Sequence, residues 1–197
     1  MNSLNRSKYI WIFILCLAVA CPLTACAKNQ REYTNQEVGF SLQYPESWVP
    51  GPALAPNSRL RIETPAGSQH AECVVIAKRY PKAASAKQSD IAQVFLEEPS
   101  PSELKDILSQ SGKDVEVLTA SSGKLHSRPA HIARVRYNVD SPSRKTFVSG
   151  RVLMTATPGL TWTLSCGGQG NTSAEAEKSF QFWRHEIDNT ISSFKFK

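Results

Sequence analysis

The sequence predicts one α+β domain with an antiparallel sheet at its centre, preceded by an export signal. Four strand-like runs follow one another between residues 115 and 167, with turn signals rich in Gly, Pro and Ser between them. Such short connections favour an antiparallel meander. Near residues 89–110 and 173–192, apolar residues recur three or four positions apart, which is typical of helices that pack against a sheet.

The N-terminus has the layout of a secretory signal. A charged opening with Arg6 and Lys8 is followed by twelve mostly apolar residues, YIWIFILCLAVA, and then by small residues around cysteine. A helix of that length spans about 18 Å, well short of the roughly 30 Å hydrocarbon core of a bilayer. The segment is therefore expected to target the chain without anchoring it.

The residues Leu23-Thr24-Ala25-Cys26 resemble the lipobox of bacterial lipoproteins. In that motif the cysteine receives a diacylglyceryl group and becomes the first residue of the mature chain. The resemblance implies that residues 1–25 are removed and that Cys26 carries the lipid. Residues 26–36 are then expected to form a tether, because AKNQREYTNQ is polar. Because two or three acyl chains hold a protein stably, we expect a membrane anchor without a membrane span.

Two alternatives to lipidation at Cys26 stay open. Cys21 is a second candidate, although Pro22 would follow the cut and Ala18 stands where the motif usually has leucine. An ordinary signal peptide cleaved elsewhere would leave Cys26 unmodified. Ala27, and not Asp, follows the cysteine, which by analogy favours the periplasmic side of the outer membrane in a cell with two membranes.

The charge balance of the mature chain is mild. Loss of Arg6 and Lys8 reduces 23 basic residues to 21, against 17 acidic residues, for a net charge of +4. Nucleic acid is therefore not predicted as a partner. The 172 residues from Cys26 onward match the size of one domain, which is predicted at residues 37–197.

The domain is predicted to open with strands. Val38, Phe40, Leu42 and Tyr44 alternate with small or polar residues, the period-two pattern of a strand with one buried face. A short helical turn is expected to follow from Pro45. RLRIET and AECVVIAKRY indicate two more strands, and the second is apolar on both faces, as in a central strand.

Helices are predicted at two places. SDIAQVFLEE and PSELKDILSQ indicate short amphipathic helices capped by Ser89 or by Ser100 and Ser102, and their apolar stripes are expected to pack into the core. After the meander, with a turn expected at residues 122–123, one helix is predicted over 173–192, with Thr172 and Glu175 at capping-box spacing. The preceding CGGQGNTS is expected to be a flexible loop, because it lacks the pattern of a P-loop or a dinucleotide site. SFKF predicts a last short strand.

Cys73 and Cys166 remain when Cys26 is lipidated. Both lie on strand faces among apolar neighbours, so both are expected to point into the core. In an oxidising compartment they are a candidate disulfide pair. Two buried free thiols are the alternative, because the sequence does not show whether the strands are neighbours.

The order of these elements resembles the PsbP-like superfamily, which includes the DcrB-like periplasmic lipoproteins. GFSLQYPESW opens the sheet, a helical insertion and a long meander follow, and the terminal helix ends in SSFKF. The likeness covers residues 38–196. It implies an α/β/α sandwich around an antiparallel sheet of about six to eight strands, in a family whose members are mostly adaptors or assembly factors. No functional residue of that family is carried over to this chain.

No catalytic or metal-binding pattern is evident, and no cofactor is predicted. The histidines are His70, His126, His131 and His185, and they lack the spacing of zinc motifs. Cys-His catalysis needs an accessible thiol, which a core-facing Cys166 does not offer.

A basic surface is the remaining candidate site. Arg134 and Arg136 share one strand face, and Arg144, Lys145 and Arg151 lie in the next arm of the hairpin. They either protect a sheet edge as solvated charges or dock an acidic partner or anionic headgroups.

Three hypotheses of function follow. The first is a membrane-tethered, non-enzymatic binding or assembly-accessory factor for an envelope protein. The second is a carrier of a small apolar or lipid ligand held between the sheet and a helix layer. A hydrolase is the third.

Overall fold

The computed structural model describes residues 29–53, 55–67, 69–110, 112–141 and 144–197, with the backbone alone for residues 141 and 144. The predicted signal at residues 1–25 and the predicted lipid site at Cys26 lie outside the described residues. Within these ranges no helix is long and apolar enough to cross a membrane.

Ten strands and four α-helices make up the described chain. The strands and helices are β1 (Gln30–Asn35), β2 (Phe40–Pro45), β3 (Val49–Pro50), β4 (Ser58–Glu63), β5 (His70–Arg79), α1 (Gln88–Val94), α2 (Pro101–Leu108), β6 (Lys113–Leu125), β7 (Arg128–Ser141), β8 (Arg144–Thr157), β9 (Leu160–Gly170), α3 (Ser173–Phe182), α4 (Arg184–Ser193) and β10 (Lys195–Phe196). A short 3-10 turn, Pro81–Ala83, precedes α1.

Seven strands form the main sheet, and all neighbours in it are antiparallel. Their order is β3-β4-β5-β9-β8-β7-β6, so the strands from β6 to β9 form the predicted meander. β5 lies between β4 and β9, and helices cover the sheet on both sides, which explains why β5 is apolar on both faces. The predicted α+β fold around an antiparallel sheet is confirmed.

The helices form two layers. On β8, Leu153 belongs to a core with Phe180 of α3 and Ile187 of α4, whereas Val152 belongs to a second core with Leu104 of α2. Because successive residues of a strand point to opposite faces, α3 and α4 lie on one face and α2, with α1 beside it, on the other. This is the α/β/α arrangement that the family resemblance implies.

A small second sheet of order β1-β2-β10 packs against the α3–α4 side of the main sheet. Phe40 of β2 stacks on Phe194 with ring centroids 5.5 Å apart and meets the edge of Trp162 of β9 at 5.9 Å. Residues from both ends of the domain thereby share one core.

The tether predicted at residues 26–36 is wrong for most of its length. β1 pairs with β2 from Gln30 to Asn35, and the N–H of Glu46 donates to the carbonyl of Asn29 at 2.9 Å. Tyr33 supplies the reason, because its ring lies 5.8 Å from that of Phe40 and contributes to the core. The folded domain therefore includes residue 29 onward and not residue 37 onward.

The glycine-rich run before α3 is also not a flexible loop. Residues up to Gly170 belong to β9, paired with β8 and with β5. A β-carbon at Gly168 would collide with the backbone of Ala176 and Phe180. Glycine is thus needed because α3 lies directly on the strand.

The single helix predicted over 173–192 is two helices. Thr172 caps α3 by accepting a hydrogen bond from the Glu175 N–H at 3.2 Å, but Trp183 interrupts the helix and separates α3 from α4. The Trp183 ring packs edge-on against Trp48, with centroids 5.9 Å apart. This tertiary contact fixes the break.

Two smaller predictions are wrong. Ser89 lies inside α1 and does not cap it. Ser100 is the N-cap residue of α2 as predicted, but its hydroxyl bonds that of Ser102 and makes no side-chain cap bond. Residues 122–123 continue β6, and the turn to β7 falls at 126–127.

Candidate functional site

The structure joins Cys73 and Cys166 in a disulfide. The two residues stand directly opposite each other on β5 and β9, their α-carbons are 4.1 Å apart, and both side chains belong to the main core. The bond occupies both thiols. Neither sulfur is then available as a nucleophile or as a metal ligand.

Arg134 lies beneath α3 and contacts the helix and the sheet. Its guanidinium donates to both carboxylate oxygens of Glu177, at 2.8 and 3.0 Å, and to the carbonyls of Val135 and Gly150, at 3.1 and 3.0 Å. The guanidinium carbon is 3.8 Å from the ring centroid of Phe180. With 16% of its side chain exposed, Arg134 clamps α3 to the sheet.

Arg136 and Arg151 extend this cluster along the same face. Arg136 lies 3.3 Å from the Glu177 carboxylate and 3.8 Å from that of Glu116. Arg151 donates to Asp188 of α4 at 2.6 Å. We call Arg134, Arg136 and Arg151 the arginine cluster. Arg134 and Arg136 share one face of β7 as predicted, Arg151 of β8 stands opposite Arg134, and acids of the domain itself neutralise all three.

The other two residues of the predicted basic surface lie apart from α3 and α4. Lys145 is exposed and approaches Asp114 at 3.5 Å. For Arg144 the structure describes the backbone in β8 and not the side chain. The positive surface open to an acidic partner is therefore smaller than the sequence suggests.

Glu177 is the acid at the centre of the arginine cluster. Burial alone would raise the pKa of Glu177, but hydrogen bonds from Gln181 and Ser149 oppose that effect. The charge of Arg134 and a hydrogen bond from Arg136 act in the same direction, and the resulting pKa is about 2. The carboxylate is ionised at neutral pH and holds α3 in place.

A second polar cluster lies on the neighbouring strands β4 and β5 of one hairpin. One oxygen or nitrogen atom from each of Glu63, His70 and Glu72 lies within 4.8 Å of the others, the spacing of metal ligands. Arg61, however, is 2.6 Å from Glu63 and 2.8 Å from Glu72. The guanidinium stands where a metal would neutralise the two carboxylates, so the arrangement is that of an ion-pair cluster.

A groove opens on the opposite face of the main sheet, between the sheet and the α1–α2 layer. Its volume is about 460 Å³. Its lining is mostly apolar and includes Ile76, Phe95, Ile107, Leu108 and Met154. His131 also lines the groove, with its ring centroid 4.8 Å from that of Phe95. Its Nε2 donates to the Val94 carbonyl at 3.2 Å, which holds the end of α1 on the sheet.

α1, the turn that follows it and α2 expose apolar side chains beside the groove. Val94 is 62% exposed, Leu96 55% and Ile107 50%. We call these three residues the hairpin surface, after the two consecutive helices α1 and α2 that carry or flank them. The prediction that both apolar stripes pack into the core is thus half correct: Ile91 and Leu104 are buried, and the rest of the pattern faces the groove or solvent.

The comparisons with known proteins bear on the fold. No protein-family model and no curated protein matches the sequence. The solution structure of cyanobacterial PsbP (CyanoP) from Synechocystis sp. PCC 6803 matches with a TM-score of 0.53 and 16% identity, over 86% of this chain and 94% of that chain. LpqN, involved in cell envelope biogenesis of Mycobacterium tuberculosis, matches with a TM-score of 0.51 and 12% identity, over 86% of this chain and 91% of that chain. The domain has a PsbP-like fold, as the sequence resemblance implies.

Proposed function

We propose that the chain is an exported lipoprotein held at a bacterial membrane, whose domain is a non-enzymatic binding or assembly-accessory factor for an envelope protein. The observation that carries the proposal is the short distance along the chain between the lipobox and the domain. Asn29 is the third residue after Cys26, and its carbonyl already accepts a hydrogen bond from the N–H of Glu46 in the folded domain. A folded domain attached so closely to a lipid site is suited to work at a membrane surface.

The polar groups of the domain support a role without catalysis. Within the described residues, the two thiols form a disulfide, the arginine cluster is paired with Glu177 and Asp188, and Arg61 bridges two carboxylates. A catalytic acid or base must reach the proton that it transfers on a bound substrate, whereas these groups are directed at one another. The arginine cluster joins α3 and α4 to the main sheet, and the disulfide and Arg61 join neighbouring strands within it.

We place the docking of an envelope protein at the hairpin surface. Exposed apolar side chains beside a concave surface are typical of interaction sites. The arginine cluster suits this role less well, since internal acids already neutralise it. LpqN, which shares the fold, is involved in cell envelope biogenesis, and this makes an envelope role a reasonable expectation for a PsbP-like domain.

A carrier of a small apolar or lipid ligand is the second candidate function. The groove favours it, because ligand sites are usually concave, mostly apolar and a few hundred cubic ångströms in volume. Lys78 at the same groove supplies a cation for a polar headgroup.

Replacing Cys26 by alanine tests the membrane attachment. Cys26→Ala is expected to abolish incorporation of labelled palmitate and to leave precursor or soluble protein, because the thiol that accepts the diacylglyceryl group is gone. Cys21→Ala is the matched control and should incorporate palmitate like the wild type. Palmitate incorporation that persists in Cys26→Ala would rule out this attachment site.

A photoreactive amino acid in place of Leu96 separates the two candidate functions. In living cells it should cross-link to one envelope protein, since Leu96 is 55% exposed on the hairpin surface. The same amino acid in place of Lys178, an exposed residue of α3 on the other layer, is the control. An adduct of lipid mass at position 96 would favour the carrier. Identical products at positions 96 and 178 would contradict both functions of this surface.

A further inference from the structure

The contacts of residue 29 place several segments at one end of the domain. Asn29 accepts a hydrogen bond from the N–H of Glu46, and two residues later Trp48 packs against Trp183. Trp183 in turn donates from Nε1 to the carbonyl of Gln69 at 2.9 Å. We call this end, which comprises residues 29, 48–49, 64–67, 69 and 182–183, the tether end.

Two large apolar side chains are exposed at the tether end. Phe182, at the junction of α3 and α4, is 60% exposed and meets the Trp183 ring edge-on at 5.1 Å. Val49 of β3 is 43% exposed. Phe182 therefore rests on one aromatic ring and presents most of its surface outward.

The hairpin between β4 and β5 adds an uncharged tip to the same end. Pro65, Ala66 and Gly67 are exposed, and none of them carries a charge. An uncharged tip avoids the cost of bringing a charged side chain into the headgroup boundary of a bilayer. Exposed aromatic and aliphatic side chains gain from entering that boundary.

The chain length fixes how far the tether end can lie from an acylated Cys26. An extended chain covers at most about 3.6 Å per residue, so the three residues from Cys26 to Asn29 span at most about 11 Å. The lipid holds the Cys26 end of this short segment at the headgroups. The tether end is then the part of the domain nearest to the bilayer, and the inference rests in this respect on the proposed function.

We propose that the tether end is a membrane-contacting surface, on which Phe182 and Val49 enter the headgroup boundary of a phospholipid bilayer. The lipoprotein then stands on the membrane in one orientation. The groove is held away from the bilayer, because Lys78 lies at the far end of β5 from His70, and eight residues of strand cover about 26 Å. The hairpin surface faces a partner in the envelope space and not the lipid.

The test uses the full-length lipoprotein, acylated in cells and reconstituted into vesicles of phosphatidylethanolamine and phosphatidylglycerol. When Cys26 is acylated and Cys73 and Cys166 are bonded, a cysteine introduced by Phe182→Cys is the single thiol of the mature chain for an NBD fluorophore. Tyr80→Cys is the matched control, since Tyr80 is a 49% exposed aromatic residue that follows the far end of β5. Val49→Cys is a second probe of the tether end.

Spin-labelled lipids are expected to quench NBD at position 182 about threefold more than at position 80, with a blue-shifted emission at position 182. Position 49 should behave like position 182. Equal quenching at positions 182, 49 and 80 in membrane-bound protein would overturn the orientation and leave the anchor intact. Labelling of the wild type, which has no introduced cysteine, would show a free Cys26 and would overturn the anchor together with the inference.

Discussion

Replacing Cys73 and Cys166 together by alanine is expected to lower the free energy of unfolding by about 4 kcal/mol. The disulfide closes a loop with a sequence separation of 93 residues, and a loop of that size strongly restricts the unfolded chain. The bond also connects β5 to β9 in the middle of the main sheet, where both side chains are buried. Its loss therefore affects the pairing of β5 with β9, the last strand of the meander.

Urea denaturation in the soluble Cys26→Ala background measures this loss without detergent. The wild-type disulfide under a reducing agent is the matched control, and it should lose a similar amount of stability once the buried bond is reduced. A double alanine variant with an unchanged urea midpoint would mean that the bond contributes nothing to stability.

Glu177→Gln is expected to lower the free energy of unfolding by about 2 kcal/mol at pH 7. The substitution keeps the shape of the side chain but removes the charge opposite Arg134, which is 16% exposed and then lacks its counter-ion. Breaking such a pair costs more than losing an exposed salt bridge, because a partly buried charge stays behind.

The effect of Glu177→Gln depends on pH in a defined direction. The pKa of Glu177 is about 2 in the folded protein, against an ordinary value of 4.5. A carboxyl group with a lowered pKa contributes stability above its ordinary pKa and loses it as the pH falls towards the folded value. The difference between wild type and variant should therefore be full above pH 4.5 and should shrink towards pH 2.

Urea titrations at several pH values measure this difference. Glu97→Gln is the matched control, because Glu97 is exposed and lies outside the helices and strands. The control should unfold like the wild type at every pH. A Glu177→Gln deficit that stays constant down to pH 2 would contradict the ionic role of the carboxylate.

The strands and helices of the domain were largely predictable, because burial imposes a period on the sequence. β2, β5 and the meander appear as alternating or two-faced apolar runs, and the helices appear as apolar residues three or four positions apart. β1 was missed because QREYTN is polar apart from Tyr33. Its strand conformation depends on pairing with β2, and that pairing leaves no periodic pattern.

The break at Trp183 and the glycines of β9 depend on contacts between distant segments. Trp183 is compatible with a helix, and its packing on Trp48 decides the break. The run around Gly168 has the composition of a loop. Glycine is needed there because α3 lies directly on the strand. In both cases the local structure depends on a contact with a segment that only the tertiary fold brings near.

The candidate sites were less predictable than the elements that carry them. Alternation along β7 placed Arg134 and Arg136 on one face, but it gave no sign that Glu177 would cover them. The cluster of Glu63, His70 and Glu72 was missed, although pairing RLRIET with AECVVIAKRY as a hairpin brings Glu63 opposite Glu72. The groove is a gap between layers, and such gaps depend on how far α1 and α2 stand from the sheet.

The pairing of β1 with β2 has a mechanical consequence for a domain held by its N-terminus. Gln30 lies at the tether end and β1 runs away from it, so a pull on residue 29 acts along the axis of the strand. The force then acts in shear on all six residue pairs between β1 and β2 at once, and their hydrogen bonds do not open one after another. A domain attached in this way resists mechanical unfolding by a force applied through its anchor.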